Sequence, residues 1–373
     1  MTEAKYHPGL EGVIAGETAI SSIADGLRYR GYSIDALADH AMFEEVTYLI
    51  LYGELPTVAE LKSFHQQLTH NLQIDPDILE IIKRIPKSAP LMDVMRTGAS
   101  LLAHWDYEVD DGSREANLRK TSRLLAGLPV IMAARLRHLH DLRPMPPQSE
   151  LSLAGNILWL IKGEMPNDDE VNAMDVSLIL YAEHELNAST FTSRVVASTL
   201  SDLHSSITAA IGALKGPLHG GANERVLDVL QEVGSSARAE AWIRDALAQK
   251  KRIMGFGHRV YKTGDPRARY LKHLCAKLAV TKEHQEIEKM ADIIETIVVN
   301  EKGLPPNLDW PSARLYYYLG LPVELYTPLF VVSRVVGWSA HVIEQLENNR
   351  IIRPRSRYTG EDAREWVPIE LRK

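Results

Sequence analysis

Apolar residues recur at steps of three and four through most of the 373 positions, the spacing that lines one face of an α-helix. Only residues 12–23 and 29–34, where glycine mixes with β-branched residues, read as short extended pieces. Thr57-Val-Ala-Glu60 predicts a helix start, with the Thr oxygen taking a free N–H and the Glu reaching back to the cap. Asp265-Pro266 and Thr327-Pro328 each set a capping residue before a proline, a second kind of start signal. Gly320 followed by Pro322 reads as a stop, and residues 282–299 carry a clear apolar stripe. Asp141-Leu-Arg-Pro-Met-Pro-Pro-Gln148 is a Pro-rich loop, and residues 135–140 read as an exposed helix end. The fold class expected is mainly α.

Glycines weaken helices, so the glycine-dense stretches 216–221 and 255–257 mark tight turns or close backbone approaches. They bracket a candidate small helical domain over residues 215–321. Residues 1–214 and 322–373 form the expected large helical domain. Two lobes with a cleft suit an enzyme that closes on its substrate.

Charge narrows the partners. With 42 Lys and Arg against 49 Asp and Glu, the formal net charge is -7, a poor match to nucleic acid. Any anionic ligand needs a local cluster of basic groups. The single cysteine, Cys275, permits no internal disulfide and fits a reducing cytoplasm. The first residues lack a signal-peptide core. Residues 151–161 are too short to span a bilayer, and Arg334 and His341 interrupt 327–343, so no membrane partner is expected.

Six segments carry candidate chemistry. His219 lies in Lys215-Gly-Pro-Leu-His-Gly-Gly-Ala-Asn-Glu224, ahead of a helical pattern whose positive end disfavours an imidazolium. It is either a neutral polarising histidine or an ordinary loop residue. His258 lies in Met254-Gly-Phe-Gly-His-Arg-Val-Tyr-Lys262, with Arg252, Arg259 and Lys262 placed to meet phosphates or only water. The run lacks the third glycine of a dinucleotide fingerprint and the frame of a Walker loop. Asp309, between Leu308 and Trp310, is a candidate base or a simple helix cap. Arg334 is the polar residue on a face formed by Phe330, Val331, Gly337, Trp338 and His341, and it needs an anionic partner from the protein or a ligand. Arg353, Arg355 and Arg357 are solvated charge or carboxylate forks. His184-Glu185 tempts a zinc reading, but Ala188 stands where the second histidine belongs, so no metal is expected. No Gly-x-Ser-x-Gly elbow is present, and Cys275 has no evident partner.

Together and in order, YAEHELNAST, KGPLHGGANE, MGFGHRVYKTGDPRA, PNLDW, TPLFVVSRVVGW and IIRPRSRYTG resemble the citrate synthase family. GLEGVIAGETAIS and FEEVTYLILYGELP resemble its opening, so the likeness spans nearly the whole chain, in its short bacterial and archaeal form. The resemblance implies a two-domain helical fold with a mobile small domain, usually as a homodimer. It implies condensation of acetyl-CoA with oxaloacetate and water to citrate and CoA, with no cofactor beyond the CoA thioester substrate. By the same resemblance Asp309 is the base, His219 holds the thioester oxygen, and His258 polarises the ketone. His184, Arg267, Arg334 and Arg353 match the dicarboxylate ligands, with Arg353 reaching in from the other subunit. Arg252, Met254, Gly255, Gly257 and Lys262 match the CoA contacts.

One departure stands out. Citrate-forming members often read Asn-Val-Asp-Phe-Tyr-Ser around the base, whereas here it is Asn307-Leu-Asp-Trp-Pro-Ser312. Asn-Leu-Asp-Trp resembles members that make 2-methylcitrate from propionyl-CoA. A helical binding protein that kept the fold and lost the chemistry is a third reading.

Overall fold

The computed structural model describes residues 6–24, 26–258, 261 and 264–372. Among these, sixteen α-helices carry the fold, and the three strands have two residues each. Ser21–Ser22, Arg28–Tyr29 and Tyr32–Ser33 form an antiparallel meander, with Ser21 opposite Tyr29 and Arg28 opposite Ser33. The extended pieces expected over 12–23 and 29–34 shrink to this sheet. Ile34 already opens a helix, because the Ser33 hydroxyl accepts the Ala36 N–H.

Where start and stop signals act locally they hold. Thr57 and Glu60 make the reciprocal cap of Val58–Asn71. The striped helix runs from Lys282 to Lys302 and ends on left-handed Gly303. Gly320, at φ 72°, follows Asp309–Tyr318.

Three local readings are overruled by other partners. Asp265-Pro266 opens no helix: Ala268–Leu278 begins after Arg267. The Asp265 carboxylate takes the Arg267 guanidinium instead, at 2.9 Å from Nε and 2.8 Å from Nη2. A charge-assisted fork outweighs a cap. Thr327-Pro328 falls inside a helix, since the Val323–Leu325 turn runs straight into Tyr326–Glu347 and the Thr327 hydroxyl donates to Glu224. Residues 135–140 are not an exposed end throughout. Arg135 is fully buried in the 26-residue Arg114–Leu139 helix, with its guanidinium on the carbonyls of Ile85 and Pro86.

Tyr326–Glu347 is buried around almost its whole circumference, as its apolar pattern demands. Arg114–Leu139, Ala188–Ala197, Leu203–Leu214 and Asp168–Tyr181 pack around it. Each apolar side chain enclosed there contributes roughly 1.5–3 kcal/mol. A second group joins Ala222–Val233 and Ser236–Ala248 to Lys282–Lys302, and Ala268–Leu278 to Asp309–Tyr318. Cys275 is sealed between the last pair, its thiol donating to the Pro311 carbonyl. The two groups meet where Ala268–Leu278 touches Asp168–Tyr181 and Ala222–Val233 touches Tyr326–Glu347. Among the described residues no helix is long and apolar enough to cross a membrane.

Candidate active site

Asp168–Tyr181 ends at this junction, and its last carbonyls have no intrahelical donor. Arg267 Nη1 donates to Leu180 O at 3.3 Å, and Arg334 Nε donates to Tyr181 O at 2.6 Å. The negative end of a helix therefore holds two buried guanidinium groups side by side. Arg267 is further neutralised by Asp265, whose charge holds it above its ordinary range. Arg334 makes no such fork. Its guanidinium lies 4.7 Å from the Phe330 ring centre, and burial lowers it to about 10, against the pull of Glu183. Arg334 thus stays charged at neutral pH.

Glu183 is itself fixed from behind. Its Oε1 accepts from Ser21 at 2.9 Å and from His341 Nε2 at 3.0 Å, while His341 Nδ1 accepts from Arg194. His341, on the same face as Arg334, is thus a second buried polar group there. Gly337 is required at this crossing, since a Cβ would run into Ala182 O and Glu183 Oε2.

Three histidines gather on this frame. His184 meets His258 edge to face at 5.4 Å, and its Nε2 lies 3.0 Å from the Tyr261 hydroxyl. Burial and the neighbouring Arg267 and Arg334 push it well below the usual imidazole range, so it is neutral. His258 stacks on Tyr261 and its Nδ1 accepts the Tyr261 N–H at 3.2 Å. In the neutral ring that bond assigns the proton to Nε2. His219 precedes Ala222–Val233, and its Nε2 accepts the Ser189 N–H at 3.3 Å, with the Ser189 hydroxyl at 2.8 Å. A main-chain N–H can only donate, so the His219 proton sits on Nδ1. Burial first, then Arg334, lowers His219 to about 4.

Asp309 opens the first turn of Asp309–Tyr318, and its Oδ1 accepts the Tyr181 hydroxyl at 2.9 Å. Burial raises it to about 6, against that hydrogen bond. The Tyr181 ring packs on Phe330 at 4.6 Å, and Phe330 faces His219 at 6.3 Å. Phe330 therefore lies between His219 and the tyrosine whose hydroxyl holds Asp309.

The glycine loop and the base are one unit. Gly257 N–H donates to Pro305 O at 2.8 Å, Asn307 N–H to Gly255 O at 2.9 Å, and the Asn307 side chain to Gly257 O at 3.0 Å. Asn307 Oδ1 then accepts the Asp309 N–H. Gly255 sits at φ 88°, and a Cβ would lie 2.9 Å from Val226 Cγ2 and 3.0 Å from the Trp310 ring. Gly255→Ala is expected to lower stability by about 1–3 kcal/mol, read as a lower denaturant midpoint. An unchanged midpoint would show the loop to be unstrained.

Arg252 is exposed on this loop and Met254 is half-buried against the core. Lys262 and Arg259 lie outside the described residues. Arg353 is exposed on the non-helical chain after Tyr326–Glu347. Sequence reading passed over Tyr181 and Ser189, although both stand in the segment around His184. It took Asp265, two positions from Arg267, only for a helix cap. Among the described residues no group of three His, Cys, Asp or Glu is arranged to hold a metal ion.

The citrate synthase C-terminal domain pattern matches residues 9–355. The chain belongs to the citrate synthase family. "Citrate synthase 2" of Bacillus subtilis is 49% identical over 366 residues, covering 98% of both chains. "2-methylcitrate synthase 2" of Corynebacterium glutamicum is 44% identical and covers 100% of this chain and 99% of the relative. A Thermoplasma acidophilum citrate synthase, solved in ternary complex with carboxymethyl coenzyme A and oxaloacetate, superposes with a TM-score of 0.92. It is 36% identical and covers 99% of this chain and 100% of that one. As a citrate synthase family member the chain is a condensing enzyme of the acyltransferase class with an all-helical fold. The reading as a non-catalytic scaffold is not supported.

Proposed function

We propose that this enzyme forms citrate from acetyl-CoA, oxaloacetate and water, with Asp309 as the base. The Asp309 carboxylate carries the proposal: it is raised to about 6 and sits on the turn that closes the glycine loop. Such a group is ionised at neutral pH yet basic enough to take a C–H proton. Asp309 removes the proton from the carbon beside the thioester, while neutral His219 donates Nδ1–H to the thioester oxygen as charge develops. The enol carbon attacks the oxaloacetate ketone, whose oxygen receives the His258 Nε2 proton. Water then cleaves the thioester and releases CoA.

His184, Arg267 and Arg334 hold the oxaloacetate carboxylates, and Arg353 completes the set from the second subunit of a homodimer. Arg252, Met254, Gly255, Gly257 and Lys262 meet CoA. Residues 215–321 form the lobe that closes, excluding water until condensation is complete. The chemistry falls to these side chains and the CoA thioester, with no resident cofactor assigned. The single buried thiol supports a cytoplasmic setting.

A second reading, 2-methylcitrate formation from propionyl-CoA, is favoured by Leu308 and Trp310 beside the base and by relatives of that name. One methylene in an apolar pocket is worth about 1–3 kcal/mol. We therefore expect both thioesters to react, with kcat/KM for acetyl-CoA about 10- to 100-fold higher. Oxaloacetate-dependent thiol release, measured with each, decides the matter. A higher kcat/KM for propionyl-CoA would reverse the assignment.

A further inference from the structure

Tyr181 touches both halves of the site. It ends Asp168–Tyr181 and is buried. Its main-chain carbonyl accepts from Arg334 Nε at 2.6 Å, and its ring lies on Phe330. At the far end its hydroxyl is 2.9 Å from Asp309 Oδ1 and 2.8 Å from Ser312 Oγ. Asp309 Oδ1 is thereby engaged by the phenol.

We propose that Tyr181 is a positioning residue, its hydroxyl fixing the Asp309 carboxylate while its main-chain carbonyl fixes Arg334. The proposal rests on Asp309 being the base and says how the base is aimed. Burial, then the Asp309 charge, pushes the phenol well above its ordinary range, so it keeps its proton and donates it. A hydrogen bond donated to a carboxylate favours the ionised form. The phenol therefore offsets part of the burial that raises Asp309, and it keeps the base active at lower pH. Ser312 supports the phenol oxygen from the next turn and also reaches the Asp309 carbonyl at 3.3 Å.

The roles of hydroxyl and carbonyl are separable by substitution. Tyr181→Phe keeps the ring and the carbonyl and removes one donor. The acidic limb of the kcat/KM profile for acyl-CoA is expected to move up by about one pH unit. At pH 6 turnover is expected to fall about fivefold, narrowing at pH 8. Oxaloacetate affinity by calorimetry stays within about twofold, because the Arg334 contact is main-chain. Ser312→Ala shifts the limb the same way by less. Carboxyl NMR on protein with 13C-labelled aspartate follows the Asp309 titration without turnover, and the same upward shift is expected there. A limb and a carboxyl titration that stay in place, or that move down, would overturn the proposal. So would a loss of oxaloacetate affinity as large as the loss of rate. If Asp309→Asn kept full turnover, the base itself would be misassigned; an inactive Asp309→Asn with an unmoved Tyr181→Phe limb would remove only Tyr181.

Discussion

Asp309→Asn is expected to lower oxaloacetate-dependent CoA release by about 100- to 10,000-fold, the range a positioned general base supplies. Asn has nearly the same shape and can still accept the Tyr181 hydroxyl at Oδ1, so the loss falls on proton transfer. Oxaloacetate binding is expected to survive, because the guanidinium groups are held by Leu180, Tyr181 and Asp265 rather than by Asp309.

Stability should move the other way. Burial raises Asp309 in the fold to about 6. The folded state therefore binds this proton more tightly than the unfolded chain does. The stabilisation it gives is complete below the ordinary carboxylate range and is lost as pH rises toward 6. At pH 8 the ionised group is a burden, and the variant is expected to be about 1–2 kcal/mol more stable, discounted for the surface Asp309 keeps exposed. Parallel thiol-release assays and denaturant titrations check both signs. Wild-type turnover in the variant would remove Asp309 from the chemistry.

Asp265→Asn is the largest expected loss of stability. Asp265 is wholly enclosed and takes four donors: Arg267 Nε, Nη2 and N–H, and the Leu308 N–H at 3.2 Å. Removing one charge of a buried pair leaves the other uncompensated, at about 3–5 kcal/mol. Burial alone would raise this carboxyl, but Arg267 outweighs it and holds it below the usual range. Its contribution is therefore present above the ordinary carboxylate range and disappears as pH falls through the depressed value. The gap between wild type and variant should be full at pH 7 and close in strong acid. Because Leu308 adjoins the base, turnover should fall as well. Equal denaturant midpoints at pH 7 would show that the pair contributes nothing net.

How much of this was legible in the chain depended on the reach of each interaction. Thr57 and Glu60 sit three residues apart, and so the cap they form is written in the sequence. The helical period of residues 282–299 was equally plain, because a stripe needs only its own neighbours. Thr327 carries the same kind of local signal, yet Glu224, 103 positions away, claims it. Tyr181 and Asp309 are 128 positions apart, and neither contains a hint of the other. Arg334 was visible as an expensive charge on an apolar face. That its nearest support would be a helix-end carbonyl required the packing of two helices, which no window of sequence holds. The histidines and Asp309 were found through the order of their motifs, and the residues that orient them were not.

Cys275 has a practical bearing on all these measurements. Its thiol is pushed up to about 12 by burial and rests against the Pro311 carbonyl. A colour-forming disulfide reagent needs thiolate, so the native molecule offers it nothing. Absorbance in a turnover assay then counts liberated coenzyme alone. In urea the same reagent counts opened molecules, one sulfur for each chain.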